Sequence, residues 1–234
     1  MPYRRLPNTD KARIAALEKA VAMEHACDVE HQAASYKTLN EARALLRRFK
    51  NAVEQFQYCY TAQAEANRRY QEHLKTARLY ISHFIQVLNL AVVRNEVRKE
   101  HKLFYGLDPD DFTVPDLTSE KHILMWGERL IEGERERLSH GGAPIYNPTI
   151  AKVSVHYDIF KDAYREQQNY KLNTTRSQSG LDALREEADR IILDLWNQVE
   201  AYYVALPPAE RLARCQTYGI VYYYRSGEKR PEND

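Results

Sequence analysis

Apolar residues recur along this chain at steps of three and four over long runs. The longest starts at Leu39 and passes through Ala42, Leu46, Phe49, Val53 and Phe56 to Tyr60. It resumes at Tyr70 and continues through Leu74, Ala77, Ile81, Phe84 and Leu88 to Ala91, with only Gln63 and Asn67 polar on the same register. That is the period of an amphipathic helix with a heptad seam. Neither Pro nor Gly occurs between Pro7 and Gly106, so no helix breaker interrupts the pattern. From Tyr80 onward the apolar surface is wider than one stripe, which requires neighbours on more than one side.

Start and stop signals divide the chain. Asn8-Thr9-Asp10 caps a first helix with Ile14, Leu17 and Val21 on one face, expected to end near Ser35-Tyr36-Lys37. Thr38 is expected to cap the second helix, which runs to about Lys102 before Gly106-Leu107-Asp108-Pro109 stops it. After a linker, Thr118-Ser119-Glu120 opens a third helix carrying Ile123, Trp126 and Leu130. Asn147-Pro148 reads as an N-cap followed by proline at the first helical position. A second seam follows through Val153, Tyr157 and Phe160, crosses a polar patch at residues 173–180, and resumes in phase at Leu181, Ala188, Ile192, Leu195 and Val199. The kept phase favours one continuous helix in each long segment. Gly180, next to Ser179, argues instead for a hairpin there. Pro207-Pro208 ends the run, with room for a short turn of helix before Tyr218.

The C-terminal stretch from Tyr218 to Tyr224 is aromatic and β-branched and predicts one short strand. Unpaired, it would be an exposed sticky edge. The linker around Phe112-Thr113-Val114 is its expected partner in a two-stranded ribbon. Residues 225–234 are polar and read as a frayed tail.

The two halves also resemble each other at an offset of 111 residues. Phe49-Lys50-Asn51-Ala52 stands over Phe160-Lys161-Asp162-Ala163, Ala77 and Ile81 over Ala188 and Ile192, and Phe84 over Leu195. Tyr105-Gly106-Leu107 resembles Tyr218-Gly219-Ile220, two residues out of phase. The expected fold is therefore all-α: an elongated bundle of long amphipathic helices in one domain, made of two repeats (9–107 and 118–220) related by a pseudo-two-fold axis. At least two-thirds helix and no sheet beyond two or three short strands are expected.

Composition narrows the function classes. Of 234 residues 44% are hydrophobic and 29% charged, which fits an ordered protein. The net charge of +1 gives no basic footprint for nucleic acid. Cys27, Cys59 and Cys215 are odd in number and far apart, as in reduced cytosolic proteins. The opening residues lack the apolar segment of a secretory signal, and residues 80–93 are too short and too polar to span a bilayer. A cytoplasmic protein is expected, without cofactor, membrane or nucleic acid, and with another protein or a second copy as partner.

No Glu-x-x-His pair, glycine-rich phosphate loop or nucleophile elbow is present. Glu24, Cys27, Asp28 and His31 share one helix face, but no second helix offers matching ligands, so the face reads as solvated. Arg47-Arg48 and Arg68-Arg69 stand among acids and read the same way. A polar line runs through the most apolar helix at His83, Gln86 and Asn89, and the repeat offset places Asp194, Asn197 and Glu200 over it. Buried, such residues need partners or cost on the order of 1–3 kcal/mol each, and a His83–Asp194 pair is conceivable. The simpler reading is the strip of each helix that meets water. The sequence thus points to a non-enzymatic scaffold or interaction protein, with a small-ligand site near His83 and Asp194 as the alternative.

Overall fold

The computed structural model describes residues 2–26, without the side chains of residues 24–26, and residues 32–225. The fold is all-α. The helices are α1 (Asp10–Ala26), α2 (Tyr36–Val93), a 3₁₀ helix (Lys99–Tyr105), α3 (Glu120–Ser139), α4 (Ile150–Tyr202) and α5 (Pro208–Thr217). Two short strands, β1 (Tyr3–Arg4) and β2 (Tyr222–Tyr223), complete it. Both long segments are single continuous helices, of 58 and 53 residues. Gly180 lies inside α4 and no break follows: one glycine costs a helix interior about 1 kcal/mol, less than the burial of Leu181, Ala188 and Ile192 further along the same helix contributes.

Helix ends follow local hydrogen bonding. Thr9 caps α1, its Oγ1 accepting from Ala12 N over 3.2 Å. At α2 the expected cap is displaced: Ser35 Oγ accepts from Thr38 N over 3.2 Å, and Thr38 falls in the first turn. α2 also stops earlier than the expected Lys102. Asn95 takes a left-handed conformation (φ 60°), while Glu96 N and Asn95 N bond back to the Ala91 and Val92 carbonyls. This is the Schellman closure, with Asn in place of Gly. Ser119 caps α3 and accepts from His122 N, as the sequence indicates. Asn147 does not cap α4: it has φ 52°, and Thr149 Oγ1 takes that role by accepting from Lys152 N.

The chain divides into two compact units. The first comprises Met1–Tyr60 and Asn173–Asp234. Its core joins Leu17 of α1, Leu39, Leu45 and Phe49 of α2, and Ile192, Leu195, Trp196 and Val199 of α4. Tyr218 and Ile220 close that core from the C-terminal side. The second unit is Thr61–Leu172, with Tyr70, Ile81, Phe84 and Leu88 of α2 packed on Ile123 and Leu130 of α3 and on Val153 and Phe160 of α4. Gly127 and Gly133 let α3 approach closely. A Cβ would lie 2.2 Å from the Tyr157 ring at Gly127 and 2.6 Å from the Phe104 carbonyl oxygen at Gly133.

The strand partner differs from expectation. β2 pairs antiparallel with β1, Tyr3 opposite Tyr223 and Arg4 opposite Tyr222, and not with the linker. The linker belongs to the second unit and is held by other bonds, including Asn89 Nδ2 to the Phe112 carbonyl at 2.9 Å. The N-terminal residues ahead of α1 supply the missing edge, and Arg5 N extends the ribbon to the Val221 carbonyl over 2.8 Å.

Candidate functional site

A helix turns about 100° per residue, so positions three apart drift by about 60° per step. This separates the polar line that the sequence groups on α2. His83 and Gln86 are exposed, whereas Asn89 is only 6% exposed and faces the linker. Gln86 Nε2 donates to Ser82 Oγ over 2.9 Å along its own helix. The neighbours of His83 and Gln86 on the outward face are apolar: Leu79, Leu90 and Val93 are 63%, 53% and 64% exposed. The face is thus a mixed stripe with polar residues at its centre and no charge on its axis.

Asp194 and Asn197 lie in the first unit, apart from His83, Gln86 and Asn89 in the second. Both are engaged. Asp194 Oδ2 accepts from Thr38 Oγ1 at 3.1 Å and from Gln198 Nε2 at 2.9 Å. Gln198 Oε1 in turn accepts from Ser35 N at 2.7 Å, so the group fastens the start of α2 to α4. Asn197 Oδ1 accepts from Arg4 Nη1 at 2.8 Å, and Glu200 accepts from Arg4 at 3.3 Å and from the Tyr222 hydroxyl at 2.7 Å. Burial, then the Glu200 and Cys215 bonds, push the Tyr222 phenol up. These acceptors hold the strand ribbon on the helices.

The residues that the sequence reading missed form a buried polar cluster in the second unit. Glu134 and Arg137 are 0% and 1% exposed and sit beside Tyr105, also 0% exposed. Arg137 donates from Nε to Glu134 Oε2 and from Nη2 to Oε1, both over 2.9 Å. Its Nη2 also reaches the Ala143 carbonyl at 2.7 Å, and Ile145 N donates to Glu134 Oε1 at 3.1 Å. The Tyr105 hydroxyl donates to Glu134. Burial and then the Glu134 contact raise the Tyr105 pKa. For Arg137 burial acts downward, but Glu134 and Tyr105 outweigh it and hold the guanidinium above its ordinary value. Lys102, 0% exposed, donates to the Asp111 carbonyl and lies 4.3 Å from the centre of the Phe112 ring. Burial lowers its pKa. A signal existed in the sequence: Glu134 and Arg137 continue the buried stripe of Ile123, Trp126 and Leu130 along α3. The charges of Glu134 and Arg137 are matched, and with Tyr105 they tie the 3₁₀ helix, α3 and residues 143–145 together.

Of the cluster at Glu24, Cys27, Asp28 and His31, the last three lie outside the described residues and so does the Glu24 side chain, as does the tail from Ser226. Among the described residues no group of three His, Cys, Asp or Glu side chains is placed to hold a metal ion. Cys59 and Cys215 are free and buried, and burial pushes the Cys215 thiol up. α2 contains an 18-residue window of mean hydropathy 1.2, long and apolar enough to cross a membrane; 44% of that window is buried, and the core helix of a soluble protein passes the same test. Comparison with protein-family models, with characterised proteins and with solved structures finds no match.

Proposed function

We propose that the chain is a non-enzymatic helical scaffold whose partner is a second copy of itself, paired through the outer face of α2. The observation that carries this reading is the stripe Thr76, Leu79, His83, Gln86, Leu90 and Val93, spaced 3, 4, 3, 4, 3 like the contact positions of a coiled coil. A helix face turned to water is ordinarily charged, whereas half of this one is Leu or Val. The stripe is also self-complementary. Laid antiparallel on a copy of itself, it sets Leu79 against Leu90, Thr76 against Val93, and His83 against Gln86. The imidazole and the amide hydrogen-bond across the centre, and a polar pair among apolar contact positions fixes register. An interface of one helix face is small, so affinity on the order of micromolar is expected.

The test is sedimentation equilibrium over a concentration series. The wild type is expected to dimerise, and Leu90→Glu or Leu79→Glu to stay monomeric with unchanged helix content and Tm. A wild type still monomeric at ~100 µM overturns the reading. So does a monomer that cosediments with lipid vesicles through Leu79 and Leu90, which would put a bilayer surface in place of the second copy. The free thiols of Cys59 and Cys215 support a reducing, cytoplasmic setting. A site built on His83 and Asp194 has less support, because Asp194 is already bonded to Thr38 and Gln198.

We also read the chain as an internal duplication. At the offset of 111 residues Phe49 and Phe160, Ala77 and Ala188, Ile81 and Ile192, and Leu88 and Val199 are equally buried. Each unit draws on one short helix, the first half of the long helix that follows it, and the second half of the other long helix. Tyr105-Gly106-Leu107 and Tyr218-Gly219-Ile220 both follow a short helix with glycine at positive φ, 68° and 88°. Related sequences test this. Some should show closer agreement between halves at this same offset; relatives agreeing best at other offsets overturn it.

A further inference from the structure

We infer that pairing of two copies through α2 is switched by pH, a proton on His83 releasing the partner; this rests on the pairing proposed for that face. In the antiparallel register that sets His83 against Gln86, the two-fold axis passes between these positions. The two His83 side chains then stand three residues apart along the paired helices, about 4.5 Å of rise, on axes about 8–10 Å apart. Gln86 Nε2 is engaged with Ser82 Oγ at 2.9 Å. Its Oε1 is left to accept from the N–H of a neutral imidazole on the partner. In the free chain His83 is exposed, and water solvates either protonation state. In the pair, a protonated His83 is a charge set among Leu, Val and Thr, close to a second charge of the same sign.

No carboxylate on α2 offsets that charge. From residue 73 to residue 95 the chain carries no Asp or Glu, in a sequence that is 29% charged. Its titratable groups there, besides His83 and Tyr80, are His73, Lys75, Arg78 and Arg94. Arg78 donates to the Thr118 carbonyl at 3.0 Å, and Arg94 is paired with Glu96 at 2.8 Å. α4 packs beside this stretch, its His156 ring stacked on Tyr80 at 4.1 Å, and carries Lys152 one turn away from that stack. The acids of α4 are occupied: Asp158 bonds Lys161 at 3.0 Å in the groove shared with α3, and Asp162 pairs with Arg165 at 3.5 Å. The 3₁₀ helix and α3 pack on the core side, where the Phe84 and Tyr105 rings stand 6.1 Å apart. There Glu134 meets Arg137, and Lys102 meets the Asp111 carbonyl. The linker, with Asp108, Asp110 and Asp111, lies on the side of Asn89, which the helix turns about 120° away from His83.

The free chain thus holds the proton more readily than the pair. Dissociation takes up as many as two protons per dimer, one on each His83, and the dissociation constant climbs as pH falls through the range in which imidazole titrates. Sedimentation equilibrium at about pH 7.5 and about pH 5.5 should show a rise of at least ~tenfold in acid, with helix content unchanged. His83→Gln, which takes no proton, should show a change below about threefold, while His156→Gln should keep the full rise. A second measurement decides the case even where His83→Gln fails to pair. The His83 C2-proton signal, assigned by its loss in His83→Gln, should titrate at lower pH in the wild type at ~500 µM than in the monomeric double variant Leu79→Gln/Leu90→Gln. A wild type that is dimeric with the same constant at both pH values overturns the switch and leaves the pairing standing. A wild type monomeric at both removes the pairing, and the switch with it. Acid weakening that survives in His83→Gln or vanishes in His156→Gln, or coincident His83 titrations, overturns the switch alone.

Discussion

Arg137 Nε stands 2.7 Å from the hydroxyl oxygen of Tyr105, with both side chains removed from water. The same guanidinium grips Glu134 through two bonds of 2.9 Å. Removing one member of such a pair leaves the other charge buried, which costs far more than the pair contributes. Arg137→Ala is therefore expected to destabilise the protein by about 3–5 kcal/mol. The double variant Glu134→Leu with Arg137→Met, which removes both charges, should stand much closer to the wild type. Urea unfolding of the three proteins checks this; a loss below about 1 kcal/mol for Arg137→Ala would show that the pair is solvated.

Two glycines on helices should respond to alanine in opposite directions. Gly180 is exposed inside α4, and a Cβ there meets nothing within 4 Å. Gly180→Ala should stabilise by roughly 0.5–1 kcal/mol, because glycine loses more backbone freedom on folding. Gly127→Ala should destabilise, since its Cβ would overlap the Tyr157 ring at 2.2 Å and α3 must move away. Thermal unfolding reads both signs in one experiment.

The N-terminal arm is predicted to stabilise the first unit although a two-stranded ribbon is marginal alone. Its side chains anchor it: Arg4 bonds Asn197 and Glu200, and the Tyr3 and Tyr223 rings stand 5.7 Å apart. Deleting residues 1–7 should lower Tm by roughly 4–8 °C, the equivalent of about 2 kcal/mol for a chain of this size, and shift Trp196 fluorescence to the red. An unchanged Tm would show that β2 is held without β1.

Helix class, the in-phase seams and most buried positions were legible because period and burial are tied: Phe49, Ile81, Phe160 and Ile192 are all 0–1% exposed. Helix ends were less so. Ser35 and Thr38, or Asn147 and Thr149, are both acceptable caps by residue type, and packing chooses between them. The partner of β2 was misread because pairing depends on which segments meet in space, and the short Tyr3-Arg4 carries no strand pattern of its own. The candidate polar residues were split for a related reason. His83, Gln86 and Asn89 follow one another at steps of three, but the helix turns His83 outward and Asn89 to the linker. Glu134 and Arg137 were passed over because their charges suggest a wet face, while their spacing along α3 already placed them on the buried one.

Asp10 ties the start of α1 to α4. Its carboxylate accepts from Arg185 Nε at 2.8 Å and Nη2 at 2.6 Å, and Arg13 stands 3.5 Å away. The Arg185 hydrogen bonds, opposed by some burial and helped by the charges of Arg185 and Arg13, hold its pKa below the ordinary 3.8. Its place in the first turn adds the favourable end of the helix dipole, with the same sign. Because the folded pKa is the lower one, the unfolded chain binds more protons in the interval between the two values, and stability rises with pH there. The contribution is therefore fully present above 3.8 and is lost as pH falls through the folded pKa. Asp10→Asn should cost about 1 kcal/mol at neutral pH, a modest figure because the pair is partly exposed to solvent. Urea midpoints of wild type and variant should converge as the pH is taken below 3.8. A gap of equal size in acid and at neutrality would mean that the variant acts through packing and not through the charge.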